Sequence, residues 1–226
     1  IGTTITGQLI ALDVGAVVDN AATVLAVNDA VHGIPFTEKY LTVTGEVREP
    51  CVLKVPVGTS FRQCIELAGG ALCDRAAVVS GGPMMGKPMT WEAGMDSLVT
   101  KTTSGILVLK ESSAVIRNSD MDMRHMLNRA KSACIQCSFC TSLCPRHLLG
   151  HPLKPHMIMR KMSAVGDSEA LFEDPDIRQA SICCECGICE VYACPMGLNP
   201  RRINSILIAE LARAGMRYER DQAESC

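Results

Sequence analysis

Eight cysteines between Cys134 and Cys194 constrain this chain more than any other feature, because they fall into two ordered runs. The first run is Cys134-x2-Cys137-x2-Cys140-x3-Cys144 and closes on Pro145. The second is Cys183-x2-Cys186-x2-Cys189-x4-Cys194 and closes on Pro195. Three thiols at this spacing, followed by a fourth before proline, suit a cubane iron–sulfur cluster. Tight turns aim three sulfurs at three corners of one cube, and the fourth corner needs a sulfur from elsewhere. A structural zinc site takes two pairs of ligands and has no use for the third thiol or the trailing Cys-Pro. Disulfides belong to oxidising compartments, and no secretion signal is visible in the sequence.

In two-cluster ferredoxins the cysteine before proline ligates the other cluster, so the runs are expected to cross over. That places Cys134, Cys137, Cys140 and Cys194 around cluster 1 and Cys183, Cys186, Cys189 and Cys144 around cluster 2. The second run departs from the pattern with x4 before its last cysteine, and Cys184 stands beside Cys183 as a substitute ligand. Of the other cysteines among the 13, Cys51, Cys64 and Cys73 lie among apolar neighbours and read as small core residues. Cys226, the last residue, reads as a free exposed thiol.

The 226 residues, 47% of them hydrophobic but only 4% aromatic, can bury one good core or two small ones built from aliphatic side chains. A formal charge of -2 without a Lys/Arg block argues against nucleic acid as a partner. No apolar run approaches the roughly 20 residues that a membrane span needs. Ser80 lies in no nucleophile elbow, and no acid–base or triad set stands out, so no catalytic side chain is assigned.

Three parts follow in order. Residues 1–35 read as an extended entry and a helix over 22–31 capped by Asn20, whose apolar Val24, Leu25, Val27 and Val31 need a surface to dock on. Residues 36–115 switch to β-branched runs. Tyr40–Thr44 and Cys51–Val55 suggest a hairpin, and Ser60-x-x-Gln63 is a capping box for the next helix, which Gly69-Gly70 ends. Ala76–Val79 and Gly105–Leu109 complete a small sheet with one helix across it, a β-grasp arrangement. Between those strands Ser80–Gly86 reads as a sharp turn that returns Met84 and Met85 to the core.

Residues 116–226 are expected to be helical around the cysteines. Asp120 is expected to cap a helix leading to Cys134, and Asp174-Pro175 and Asn199-Pro200 open two more. Leu153, Met157, Ile158, Met162 and Val165 mark another helix, ended by Gly166, and two helices are expected between Cys144 and Cys183. His147, His151 and His156 are expected to pack near the first cluster rather than bind a metal, because Pro152 and Pro155 break the helix they would share. The fold class is therefore α+β: a small β-grasp domain followed by an α-helical two-cluster ferredoxin domain.

Residues 41–47 (LTVTGEV), 80–86 (SGGPMMG) and 100–109 (TKTTSGILVL) resemble the soluble-ligand-binding β-grasp (SLBB) domain. Its order with a twin 4Fe–4S domain resembles the RnfC-like family of electron-transport proteins, named for the Rnf complexes. Residues 144–160 (CPRHLLGHPLKPHMIMR) and 183–200 (CCECGICEVYACPMGLNP) are most similar to cobalamin reductases of propanediol utilisation within that family. The resemblance implies an oxidoreductase whose two 4Fe–4S clusters carry electrons from a reduced flavin, and ultimately NADH, to a corrinoid. It implies an adenosyltransferase and microcompartment shell proteins as partners, in the bacterial cytoplasm. It also implies that residues 1–35 are the end of a flavin-binding domain, with Asp19 and Asn20 as its remnant. The chain opens at Ile1 without an initiator Met and reads as a fragment or processed product; the family's Gly-rich FMN-binding loop is absent from it, so FMN is expected only in the intact protein. Two alternatives remain: an Rnf-like electron carrier with a different acceptor, and a β-grasp binding module whose clusters are structural.

Overall fold

A computed structural model describes residues 11–165 and 172–216. Residues 19–120 form one compact unit, and the residues from 121 onward form the body of another. Gly166 and Cys226 lie outside the described residues.

The first unit opens with α1 (Ala21–Val31). Asn20 caps it as its sequence demands, its Oδ1 accepting the Ala22 N–H at 2.9 Å. Val24, Leu25, Val27 and Val31 are all exposed. The sheet follows: β1 (Glu38–Gly45), β2 (Cys51–Pro56), β3 (Ala76–Ser80), β4 (Lys87–Thr90) and β5 (Gly105–Lys110), in the order β2-β1-β5-β3-β4. β1 and β2 form the expected hairpin, while β1 and β5 run parallel at the centre. Between β2 and β3, α2 (Phe61–Leu67) begins at a complete capping box. Gln63 N–H donates to Ser60 Oγ, and Ser60 N–H donates to Gln63 Oε1.

Alternation along the strands decides what each face covers. Leu41 and Val43 of β1, Val78 of β3, and Ile106 and Val108 of β5 meet Phe61, Cys64 and Ile65 of α2 in one core. Cys51 and Cys73 pack against its edge. Ala77 and Val79 face the other way with Leu107 and Leu109, and α4 (Ala114–Ser119) covers them with Ile116. β3 is thus buried on both faces.

Two features of this unit differ from the sequence reading. β4 and α3 (Trp91–Met95) occupy a stretch read as loop. Pro88 disguises β4, which is tolerable because β4 is an edge strand held by pairing with β3. The Ser80–Gly86 turn exists, closed by Gly86 N–H donating to the Gly82 carbonyl at 2.7 Å. Met85, however, stays exposed instead of returning to the core.

The second unit is helical: α5 (Met123–Ala133), α6 (Phe139–Ser142), α7 (Pro145–Leu148), α8 (Pro155–Val165), α9 (Pro175–Arg178), α10 (Ile188–Val191) and α11 (Pro200–Arg213). Proline opens α7, α8, α9 and α11, where its fixed φ suits the first turn and its missing N–H removes no bond. Met126 and Leu127 of α5, Ile158 and Met162 of α8, and Ile203, Leu207 and Leu211 of α11 share one core with Leu153. Lys161 ties α8 to α9 through Asp174 and Asp176, both at 2.6 Å.

The expected cap at Asp120 shifts to Asp122. Asp122 has the extended backbone of a cap, and its Oδ1 accepts the His125 N–H at 2.6 Å, whereas Asp120 ends α4. Between Cys144 and Cys183 stand α7, α8, α9 and a 3-10 turn over Gln179–Ile182, more than the two expected helices. The break falls at Gly150, whose φ of 90° ends α7 early.

Gly45 gives a direct check on the sheet. Its φ is 94°, and a Cβ there would collide with the Val108 carbonyl oxygen across the parallel pair. Gly45→Ala is expected to destabilise this unit by about 2 kcal/mol or more, read as a lower urea midpoint by circular dichroism.

Candidate iron–sulfur centres

Each cysteine run starts where a helix stops and carries its third cysteine in a short helix. Cys134 follows α5, and Cys183 follows the 3-10 turn. Cys140 lies in α6 and Cys189 in α10, and these two short helices pack on each other. The turns repeat in detail. Gln136 and Ser138 have φ of 54° and 61°, and Glu185 and Gly187 have φ of 54° and 82° at the same places in the second run. Three of these four are not glycine, so each carries a left-handed penalty of about 1–2 kcal/mol. That strain turns successive sulfurs to the same side of the loop.

The thiols line two cavities. Cys134, Cys137, Cys140 and Cys194 line the first. Cys144, Cys183, Cys186 and Cys189 line the second, with Cys184 beside them. Each cavity draws its fourth thiol from the other run. Among the described residues no three His, Cys, Asp or Glu side chains converge to hold a single ion.

Burial, then the charges of Cys194, Cys134 and Cys137, push the Cys140 thiol up to about 12. Burial first, then Cys183, Cys140 of the other group, Glu190 and Cys144 raise Cys189. Burial also raises Cys183 and Cys186. Four thiolates crowded around one cavity repel one another without a cation between them, so the donor sets fit a polynuclear iron guest that requires all of them ionised. Backbone donors already point at sulfur: Leu198 N–H at Cys194 (3.4 Å) and Glu185 N–H at Cys183 (3.3 Å). Gln136 Nε2 donates to Cys134 at 3.2 Å.

The loop carrying Cys194 is anchored from α5, the helix that leads to Cys134. Arg129 donates through Nη2 to the Gly197 carbonyl at 3.0 Å and through Nη1 to Asn199 Oδ1 at 3.4 Å. Asn199, 2% exposed, donates in turn to Glu190 Oε1 at 3.1 Å. Asn199 therefore bridges α5 and α10 instead of capping α11 with its side chain. None of these partners carries a local sequence signal.

Of the three histidines, His156 lines the first cavity, and its Nδ1 is hydrogen-bonded to Thr141 Oγ1 at 2.7 Å. Burial, then nearby Lys154, keeps it below the ordinary histidine range. His147 and His151 line neither cavity. Asp19 and Asn20 lie apart from the cysteines in sequence; Asn20 caps α1, and Asp19 Oδ1 accepts the Asn20 N–H at 2.7 Å.

Comparison with known families gives these cavities a class. Residues 133–199 match the 4Fe-4S dicluster domain, and residues 40–88 match the SLBB domain. The chain thus joins an SLBB domain to a domain for two 4Fe–4S clusters. It is 45% identical over 210 residues to Cobalamin reductase PduS of Citrobacter freundii and 44% identical over 208 residues to that of Salmonella typhimurium. These alignments take in 92% and 91% of this chain but 45% and 44% of the relatives, so the chain spans a little under half their length. A third relative is one component of the proton-translocating ferredoxin:NAD(+) oxidoreductase complex of Clostridium ljungdahlii. The identity there is 37% over 139 residues, covering 60% of this chain and 27% of that one.

Two outcomes are expected. Cys137→Ala should lose about half the iron bound by the unaltered chain, read by iron assay and visible absorbance, because one cavity loses a corner. In the iron-free chain, Cys140 ionises near its ordinary value of 9.0 when unfolded but near 12 when folded. The folded form therefore holds more protons over that window, and stability should fall as pH rises through it. Urea midpoints at pH 8 and pH 10 check this, and a higher midpoint at pH 10 would contradict it.

Proposed function

We propose that this chain is the electron-transferring part of a cobalamin reductase. The observation that carries the reading is 45% identity to such a protein over 92% of the chain, including both cysteine runs. On this reading Cys134, Cys137, Cys140 and Cys194 hold one cluster, and Cys183, Cys186, Cys189 and Cys144 hold the other. Residues 1–35 close a flavin-binding domain, 36–115 form the SLBB domain and 116–226 form the cluster domain. Asp19 and Asn20 would contribute to FMN binding only within the intact protein.

Bound 4Fe–4S clusters supply one-electron steps, which suit passage from a two-electron flavin donor to a corrinoid. The residues supply the conditions for those steps. The α6–α10 contact brings the two cysteine runs together, and apolar Met159 and Leu198 shield the first cavity from water. Leu198 N–H and Glu185 N–H offset thiolate charge. The corrinoid would then be ready for an adenosyltransferase, in a bacterial microcompartment bounded by shell proteins within the cytoplasm. The similarity to a component of a ferredoxin:NAD(+) oxidoreductase complex favours a second reading, with ferredoxin as the other partner.

The test is anaerobic. The chain is loaded with iron and sulfide, reduced, freed of reductant and mixed with hydroxocobalamin. Conversion to cob(II)alamin in step with cluster reoxidation, and lost in Cys137→Ala, is the expected result. Discharge into ferredoxin but not cobalamin would favour the second reading. Irreversible bleaching on reduction would leave the clusters a structural role.

A further inference from the structure

The two cavities differ most in the polar and charged side chains that line them beside cysteine. The first is walled by apolar side chains such as Ile135 and Met196, with Gln136, Ser138 and His156 as its polar members apart from the thiols. No lysine or arginine stands in that wall. The second is walled by Arg146, Arg201 and Asn204. Arg146 follows Pro145 in α7, Arg201 follows Pro200 in α11, and Asn204 lies nearly one turn further along α11.

Each of these three carries a buried nitrogen without a hydrogen-bond partner: Nε of Arg146, Nε of Arg201 and Nδ2 of Asn204. Asn204 is 1% exposed as a whole. It stands close enough to Cys183 to favour the thiolate, yet makes no full hydrogen bond. Neither arginine forms an ion pair with a carboxylate among the described residues. A guanidinium stays protonated at any working pH, so its charge and its donors need an acceptor-rich anionic neighbour. The described residues supply none here. A cluster ringed by Cys144, Cys183, Cys186 and Cys189 would.

We infer that Arg146, Arg201 and Asn204 tune the cluster of the second cavity, making it the more easily reduced of the two. The inference rests on the crossed cysteine sets proposed above. Reduction adds one electron to a group already anionic from its thiolates, and no bond forms or breaks. Fixed positive charge and donors in a low-dielectric wall favour the reduced form more than the oxidised one. The first cavity offers no such charge, so its cluster is the stronger reductant. A single electron on the chain therefore resides at the second.

The experiment is a potentiometric titration of the loaded chain followed by electron paramagnetic resonance, after iron is counted. The unaltered protein should show two separate midpoints. Arg201→Gln should lower the higher midpoint by at least ~59 mV, the value of a tenfold change for one electron, and leave the lower one in place. Arg201→Lys, which keeps the charge, should recover much of that shift. Gln136→Leu, on the other wall, should move only the lower midpoint. If Arg201→Gln loads poorly, Arg146→Gln is read in the same way. A higher midpoint unmoved in both glutamine variants, or both midpoints moving together, would overturn the inference. Loss of the cluster from both variants would also overturn it, in favour of a structural role. Failure of the unaltered chain to hold two clusters would instead overturn the cysteine sets themselves.

Discussion

Mutual dependence of the two cysteine runs is the constraint on which the rest of the second unit rests. Cys144 belongs by sequence to the first run but lines the second cavity, and Cys194 does the reverse. Neither cavity closes from its own segment. The helices between the runs have to return the chain so that α6 meets α10, and the core of α5, α8 and α11 enforces that return. Arg129 shows the same logic in polar form, since it holds the Cys194 loop from the helix that delivers Cys134. A displacement of either run as a whole is therefore felt at both cavities.

Backbone strain completes the arrangement. Gln136, Ser138 and Glu185 sit in a conformation that side-chain-bearing residues avoid, each at a cost of about 1–2 kcal/mol. Packing around the short helices over-determines these turns, and a bound cluster would add to that hold. Suppressed thiol ionisation at Cys140 and Cys189 expresses the same tension in charge. The site is shaped for a guest that takes up negative charge, and is poorly balanced without one.

Local signals carried much of this fold. The Ser60–Gln63 box, the Asn20 cap and the Asp174-Pro175 start were legible because each is a bond between near neighbours. The two cysteine runs were legible because cluster geometry dictates spacing. What was missed depends on long-range packing. β4 has poor strand character and exists through its pairing with β3. Asp120 and Asp122 are equivalent as letters, and only the place where α4 stops decides between them. Arg146 and Arg201 are far apart in sequence and meet only because α7 and α11 both open onto one cavity.

The parallel pairing of β1 with β5 has a consequence for how the first unit is made. The β1–β2 hairpin is local, but β1 reaches its second neighbour only through the last strand of the unit. On a ribosome, one flank of β1 stays unsatisfied until Lys110 has emerged, and β3 waits for the same strand. High sequence separation of this kind slows folding and leaves strand edges open in the meantime. β5 is thus the keystone of the sheet: the hairpin and the β3–β4 ribbon are separate pieces until it threads between them.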